Sequence, residues 1–317
     1  MHHDYSSIGF ITFDALAWPV TQIPPGADTY FIDDFTLAVS GAAGTAVIAA
    51  AKMGLSAMAV GGVGEDLMGD WVLRRLADFN VDTSGLQRVA GGRTSSSIVT
   101  TRPDGARPAL HLRGATANFY VDDALLERVT DARVVHIGGV GLMDRMDDSG
   151  RTGELLRRAR AKGATTTVDV FAGSPEDMGD VAVVLPHTDY FMPSIEEARA
   201  LTGLSDKGDV ANSFLDLGVT CCVLTLGGDG AYYHHSDGTR FTVPAFDVTV
   251  KCTCGCGDAF NAGFAVSLVK GFDPETTVRF AQATSALNAT GLGSQAGVES
   301  FEHTLKFMKT TPTRRAQ

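Results

Sequence analysis

The segment Thr253-Cys254-Gly255-Cys256-Gly257-Asp258-Ala259-Phe260 sets two glycines and a carboxylate at the start of an Ala/Phe/Val-rich run that reads as a helix. Gly255 and Gly257 allow positive φ and let the backbone come close to a ligand. The free N–H groups of the first helical turn then form an anion site. Asp258 lies in that turn, and its type allows two roles. It can answer the helix dipole. It can also take the proton of a hydroxyl that attacks a phosphate bound at the helix start. The residue types alone leave both roles open.

Other chemically capable residues are weaker candidates. Cysteines at 252, 254 and 256 invite a zinc reading. Zinc sites favour a wider Cys-x-x-Cys loop and a second pair, and neither is present. Small residues filling a tight turn are the better account, with Cys221 and Cys222 in a core strand. His136 falls within an apolar strand and reads as a buried, satisfied histidine, while His234-His235 borders a hairpin and reads as solvated. Asp147-Asp148 reads as helix-start charge. Asp169 ends a strand of a parallel sheet, where ligands gather, so it is a candidate second acid. Arg113 and Asn118 end a hairpin and suit either an acceptor contact or a hinge.

The elements that must position these residues follow from periodicity. Ile8–Phe13 reads as an opening strand that ends at Asp14. Gly41–Met53 and Asp66–Phe79 read as helices, with a short strand between them at Ala57–Val60. From residue 133 onward, strands and helices alternate: 134–137, 149–162, 165–170, 190–192, 195–202, 210–217 and 221–226. A hairpin at 231–243 and helices near 258–270, 275–290 and 299–309 complete the chain. Such alternation implies a parallel sheet covered on both faces, a three-layer α/β/α sandwich. Strands 94–101 and 107–112 flank the turn Pro103-Asp104-Gly105 and carry polar residues on both faces. With part of 15–37 they form a small antiparallel β-flap, about 15–38 and 92–117, hinged at Gly91-Gly92 and Gly114. No linker, repeat or low-complexity run divides 1–317, so a single domain is expected.

Bulk properties narrow the function. The 317 residues are 44% hydrophobic and 20% charged, enough for one large α/β core. A net charge of −11 argues against nonspecific nucleic-acid binding, yet leaves room for a local phosphate site. Met1-His2-His3-Asp4-Tyr5 lacks a leader pattern, and no apolar window is long enough to span a bilayer. An odd number of cysteines, three of them crowded together, is no disulfide framework and fits a reducing cytoplasm.

Further motifs accompany the glycine-rich turn. Ser40-Gly41-Ala42-Ala43-Gly44-Thr45-Ala46 precedes Lys52-Met53-Gly54 and Val60-Gly61-Gly62-Val63-Gly64-Glu65-Asp66. Met192-Pro193-Ser194-Ile195-Glu196-Glu197 and Thr225-Leu226-Gly227-Gly228-Asp229-Gly230 follow. In this order and spacing, over nearly the whole chain, they resemble the signatures of the PfkB family of ribokinase-like carbohydrate kinases. The resemblance implies an ATP-dependent kinase that phosphorylates a hydroxyl of a sugar or sugar-like molecule with Mg²⁺. It implies Asp258 as catalytic base, and Gly255, Cys256 and Gly257 as the anion hole for the transferred phosphoryl group. It implies Asp14, Gly41 and Thr45 as acceptor contacts, and Glu197 as the acid that orients Mg²⁺ through water. It implies Ser194, Thr225, Gly227 and Gly230 beside the ATP phosphates, with Gln282 and Ala286 at the adenine.

Three positions depart from the family pattern. Thr45 and Ser194 stand where the family has asparagines, and Cys252 stands where it has an acid that often helps hold a monovalent cation, so K⁺ activation is left open. A ribonucleoside is the alternative acceptor, with Trp18, Phe31, Phe35 and Phe119 available to stack its base. A catalytically inactive sugar-binding regulator is a further alternative, opposed by the intact Asp258, Gly255 and Gly257. Unpaired strand edges of the flap offer a route to a homodimer. Cys256, just before the helix, is expected to have a lowered thiol pKa and to be shielded from modification by ATP.

Overall fold

The computed structural model describes residues 3–314. Met1 and His2, part of the stretch read for a leader, lie outside them. Among the described residues there are thirteen strands: β1 His3–Gly9, β2 Thr12–Trp18, β3 Asp34–Ser40, β4 Ala57–Gly64, β5 Asp82–Val89, β6 Ser96–Thr100, β7 Ala109–Leu112, β8 Ala132–Val140, β9 Thr165–Val170, β10 Tyr190–Phe191, β11 Cys221–Thr225, β12 Ala231–His235 and β13 Arg240–Val243. Nine make one sheet in the order β13-β12-β11-β10-β9-β8-β1-β4-β5. From β5 to β11 every pairing is parallel, and the β12–β13 hairpin closes one edge antiparallel.

Near-continuous apolar strands need cover on both faces, and helices supply it. One face packs Ile8, Val60, Ile137 and Val168 against helices Asp123–Val129, Arg151–Ala161, Met178–Val184, Ile195–Thr202 and Lys207–Asp216. The other packs Tyr5, Ala59 and Val134 against helices Ala42–Lys52, Cys256–Lys270 and Pro274–Ala289. The three-layer sandwich is therefore as the alternation implied. Among the described residues no helix is long and apolar enough to cross a membrane.

The flap is a separate four-stranded sheet, β3-β2-β6-β7. It is not wholly antiparallel: two antiparallel hairpins, β2–β3 and β6–β7, are joined by a parallel β2–β6 pair. The first strand also differs from expectation. The chain leaves the main sheet at Gly9 and enters the flap at Thr12, so Asp14 lies within a flap strand, not at the end of a body strand. Strand β5 and the helices Asp123–Val129 and Met178–Val184 were not foreseen. β5 is a half-buried edge strand with few apolar residues, which leaves little periodic signal. The flap joins the body through Thr94, whose N–H and hydroxyl both donate to the Asp66 carboxylate, at 2.8 and 2.6 Å.

Candidate active site

A cleft of about 860 Å³ opens between the flap and the C-terminal ends of the parallel strands, where ligands of open α/β sheets bind. The glycine-rich turn forms its floor. Gly255 caps the helix Cys256–Lys270 in the left-handed conformation, at φ +73°. A Cβ there would stand 2.8 Å from Ser294 Oγ and 3.0 Å from Thr45 Cγ2, so only glycine fits. Gly257 is different: a Cβ on it would meet nothing, because it faces the open cleft. The turn is pinned from behind. Asn288 Nδ2 donates to the Cys254 carbonyl at 2.7 Å, and Asn288 Oδ1 accepts from Gln295 N at 2.6 Å. Cys256 N–H is bonded to the Thr253 carbonyl and Ala259 N–H to the Gly255 carbonyl. The N–H groups of Gly257 and Asp258 sit in the helical positions that lack an intrahelical acceptor.

Asp258 lines this cleft, and burial pushes its carboxyl up to about 6, against the charge of Arg107 and the nearby Thr45 hydroxyl, which favour ionisation. Two more acids stand near it. Burial holds Asp169 well above the usual carboxylate range, and the charges of Glu197 and Asp258 add to the rise. Asn261 Nδ2 donates to Asp169 Oδ2 at 2.8 Å. Burial also raises Glu197, although Ser194 opposes it through a capping box at the start of helix Ile195–Thr202. Ser194 Oγ and N donate to Glu197 Oε2 at 2.6 and 3.0 Å. A capping box thus fixes one carboxylate oxygen of Glu197 at the cleft wall.

Most of the residues singled out in the sequence line this one cleft: Asp14, Gly41, Ser194, Glu197, Thr225, Gly227, Gly230, Cys256 and Gln282, together with Asp169 and the turn itself. Asp14 accepts from Thr12 Oγ1 at 2.8 Å. Gly41 starts the helix Ala42–Lys52 at φ +81°, where a Cβ would lie 2.5 Å from the Phe10 carbonyl oxygen. Thr45 and Ala286 do not line the cleft. Thr45 is buried one turn into its helix, under Gly255 and beside Asp258. Ala286 packs in the core between the helices and the sheet, and Ser285 faces the cleft instead. None of Trp18, Phe31, Phe35 and Phe119 lines it either: Phe119 is core, and Phe31 and Phe35 are exposed, by 88% and 60%.

The expected lowering of the Cys256 thiol is not found. Burial pushes Cys256 up to about 11, which outweighs the helix start and a long contact from Asn288 Nδ2. The lowered thiol is Cys252, whose sulfur is hydrogen-bonded by Cys254 and Thr101 but buried. Arg107, Asn261 and Asn288 are site residues that the sequence reading missed. For Arg107 a signal existed: it shares an alternating phase with Ala109, His111 and Arg113, all of which face the cleft. The two asparagines sit inside helices, where nothing local marks them.

A model of the pfkB family of carbohydrate kinases matches residues 17–300. Fructokinase-1 of Oryza sativa subsp. japonica is 29% identical over 293 residues, covering 87% of this chain and 90% of the relative. The fructokinase of Xylella fastidiosa with bound ATP superposes with a TM-score of 0.79 at 25% identity, over 96% of this chain and 98% of that one. The Arabidopsis thaliana ribokinase complexed with ribose and ATP gives 0.82 at 23% identity, over 98% and 99%. With its signatures gathered around one cleft and the family model spanning most of its length, the chain belongs to the pfkB family of carbohydrate kinases.

Proposed function

We propose that this protein transfers the γ-phosphoryl group of ATP to a hydroxyl of a sugar, with Asp258 as general base. The observation that carries the reading is the position of Asp258, which lines the same cleft as Asp14, Gly41, Thr225, Gly227 and Gly230. The acceptor lies under the flap against Asp14 and Gly41. ATP lies along Ser194, Thr225, Gly227, Gly230 and Gln282. Asp258 takes the hydroxyl proton as the acceptor oxygen bonds to the γ-phosphorus, and the electron pair of the broken P–O bond leaves with ADP. The N–H groups of Gly257 and Asp258 hold the transferred phosphoryl oxygens, and Gly257 leaves the space for them.

Mg²⁺ fits this cleft. Asp169 and Glu197 are acids lifted by burial, with Asp258 adding to the repulsion, and a cation relieves that. Among the described residues no group of three or more side chains forms a metal cage. That suits an ion that keeps water and phosphate ligands and takes few from protein. Bound there, it would neutralise charge on the ATP phosphates, with Glu197 and Asp169 as its nearest acids.

A sugar is favoured over a nucleoside because Trp18, Phe31, Phe35 and Phe119 lie away from the cleft; of the phenylalanines that line it, Phe260 is buried in the core and Phe10 is packed against His111, which leaves Phe171 alone exposed. The likeness to a plant fructokinase makes a ketohexose the first acceptor to try. A homodimer through the flap is also part of this reading. Phe35, Leu37, Ile98, Leu110 and Leu112 are exposed large apolar residues on β3, β6 and β7. The five free cysteines suit a reducing cytoplasm. The test is a panel of fructose, ribose, deoxyribose and adenosine with ATP and Mg²⁺, followed by detection of the phosphate ester. Ester from a sugar supports the proposal. Ester from adenosine alone, or none, contradicts it.

A further inference from the structure

The cleft is markedly acidic for a site that must receive ATP. Its lining holds six carboxylates: Asp14, Asp169, Asp177, Glu196, Glu197 and Asp258. Three lining side chains are basic: Arg107, His111 and Arg113. Two of these are engaged. Arg113 is paired with Asp144 and also donates to the Gly141 carbonyl at 3.3 Å. His111 shares a hydrogen bond with Ser97 at 3.0 Å, packs edge-on against Phe10 and is held below the usual histidine range by burial, so it is neutral at pH 7. Arg107 alone makes no hydrogen bond or ion pair among the described residues. An unpaired guanidinium facing a cleft is a recognition group awaiting an anion.

Its position says which anion. Arg107 follows the turn Pro103-Asp104-Gly105 at the tip of the flap. That tip is docked on the catalytic turn: the Gly105 carbonyl accepts from Thr253 N at 3.3 Å and from Thr253 Oγ1 at 3.0 Å. A Cβ on Gly105 would stand 2.7 Å from Val250 Cγ1, so the approach is close. The groups that feel the Arg107 charge are Cys254, Asp258, Cys256 and Cys252, all in the turn that forms the anion hole. The docked tip therefore holds Arg107 in the cleft lining beside the turn that forms the anion hole.

We propose that Arg107 is a catalytic residue delivered by the flap, and that it contacts the phosphoryl group in transfer when the flap tip is docked on Thr253. This rests on the kinase reading above. As the acceptor oxygen bonds to phosphorus and the bond to the β-phosphate oxygen breaks, charge spreads over the three equatorial oxygens. The turn supplies backbone N–H groups below, and Arg107 supplies the mobile cation above. Because the cation rides on the flap, an open flap leaves the anion hole incomplete, and ATP alone is hydrolysed slowly.

The experiment compares wild type, Arg107→Ala and Arg107→Lys with a sugar accepted by the wild type. Arg107→Ala is expected to lower kcat about 10²- to 10³-fold, the range for loss of one oxyanion donor, while KM for sugar and for ATP change little. Added guanidinium is expected to restore at least part of kcat in Arg107→Ala and none in Asp258→Asn. Arg107→Lys should fall between, since an ammonium keeps the charge but not the fork. The acid limb of kcat/KM should also move to higher pH in Arg107→Ala, because a cation that favours ionised Asp258 is gone. A rise in sugar KM with kcat unchanged would assign Arg107 to acceptor binding and overturn the proposal, as would unchanged kinetics. Failure of the wild type to phosphorylate any acceptor overturns the kinase reading and this inference with it.

Discussion

The two walls of the cleft are built in opposite ways. The catalytic turn is locked: Gly255 has no room for a methyl group, Asn288 ties down Cys254, and the helix behind it is buried along most of its length. The flap wall is thin, with β7 exposed at all four residues, Leu110 and Leu112 among them. On the proposed mechanism, groups that must not move are placed on the first wall, and groups that must arrive and leave are placed on the second. The difference assigns chemistry to the locked wall and timing to the flap in that mechanism.

Asp258→Asn is the largest perturbation. It should lower transfer by at least about 10²-fold, the low end for loss of a general base, while raising thermal stability. The sign follows from burial. The folded carboxyl titrates at about 6, above its usual 3.8, so the charged form is disfavoured in the fold. Its contribution to stability is present below the unfolded pKa and lost as pH rises through about 6, so at pH 7 the carboxylate destabilises. Asparagine removes that penalty, on the order of 3 kcal/mol by linkage, and the variant should melt higher in calorimetry.

Gly255→Ala strikes the same wall by geometry. The left-handed φ and the contact with Ser294 together should destabilise the protein by about 1–3 kcal/mol and lower kcat roughly tenfold or more by tilting the N–H groups. Melting and steady-state kinetics measure both. Normal activity would mean that the turn is not fixed in the way described. Leu110→Asp strikes the outer face of the flap. Sedimentation should show loss of self-association, with kcat changed less than about twofold by a surface substitution. A large fall in kcat at unchanged oligomeric state would place this face within the catalytic machinery.

The body of the fold was legible in the sequence because parallel strands and amphipathic helices carry strong periodic signals. Thr165–Val170 and Ile195–Thr202 fall as read. Edges were less legible. Polar β5 left no pattern, and the passage from β1 to the flap at Phe10-Ile11 is hidden inside an apolar run. At the site, glycine-rich turns announced Gly255, Gly257 and Gly41 because few other reasons place glycine before a helix. Cys256 misled because helix position suggests a lowered pKa, whereas burial, invisible in a sequence, dominates. Arg107 was missed because an arginine in a polar hairpin looks solvated until the flap is folded over the cleft. Asn288 was missed because its partners, Cys254 and Gln295, meet it only in the folded chain.

The central claim is that Asp258 is the base for phosphoryl transfer to a sugar hydroxyl. The pH dependence of kcat/KM for the accepted sugar tests it most directly. Asp258 must be ionised to accept the proton, and its carboxyl titrates at about 6. The rate should therefore fall tenfold per pH unit below about 6 and level off above it. Asp258→Asn should retain no such limb in whatever activity remains. A wild-type profile that is flat from pH 5 to 8, or a limb that survives in Asp258→Asn, would contradict the account.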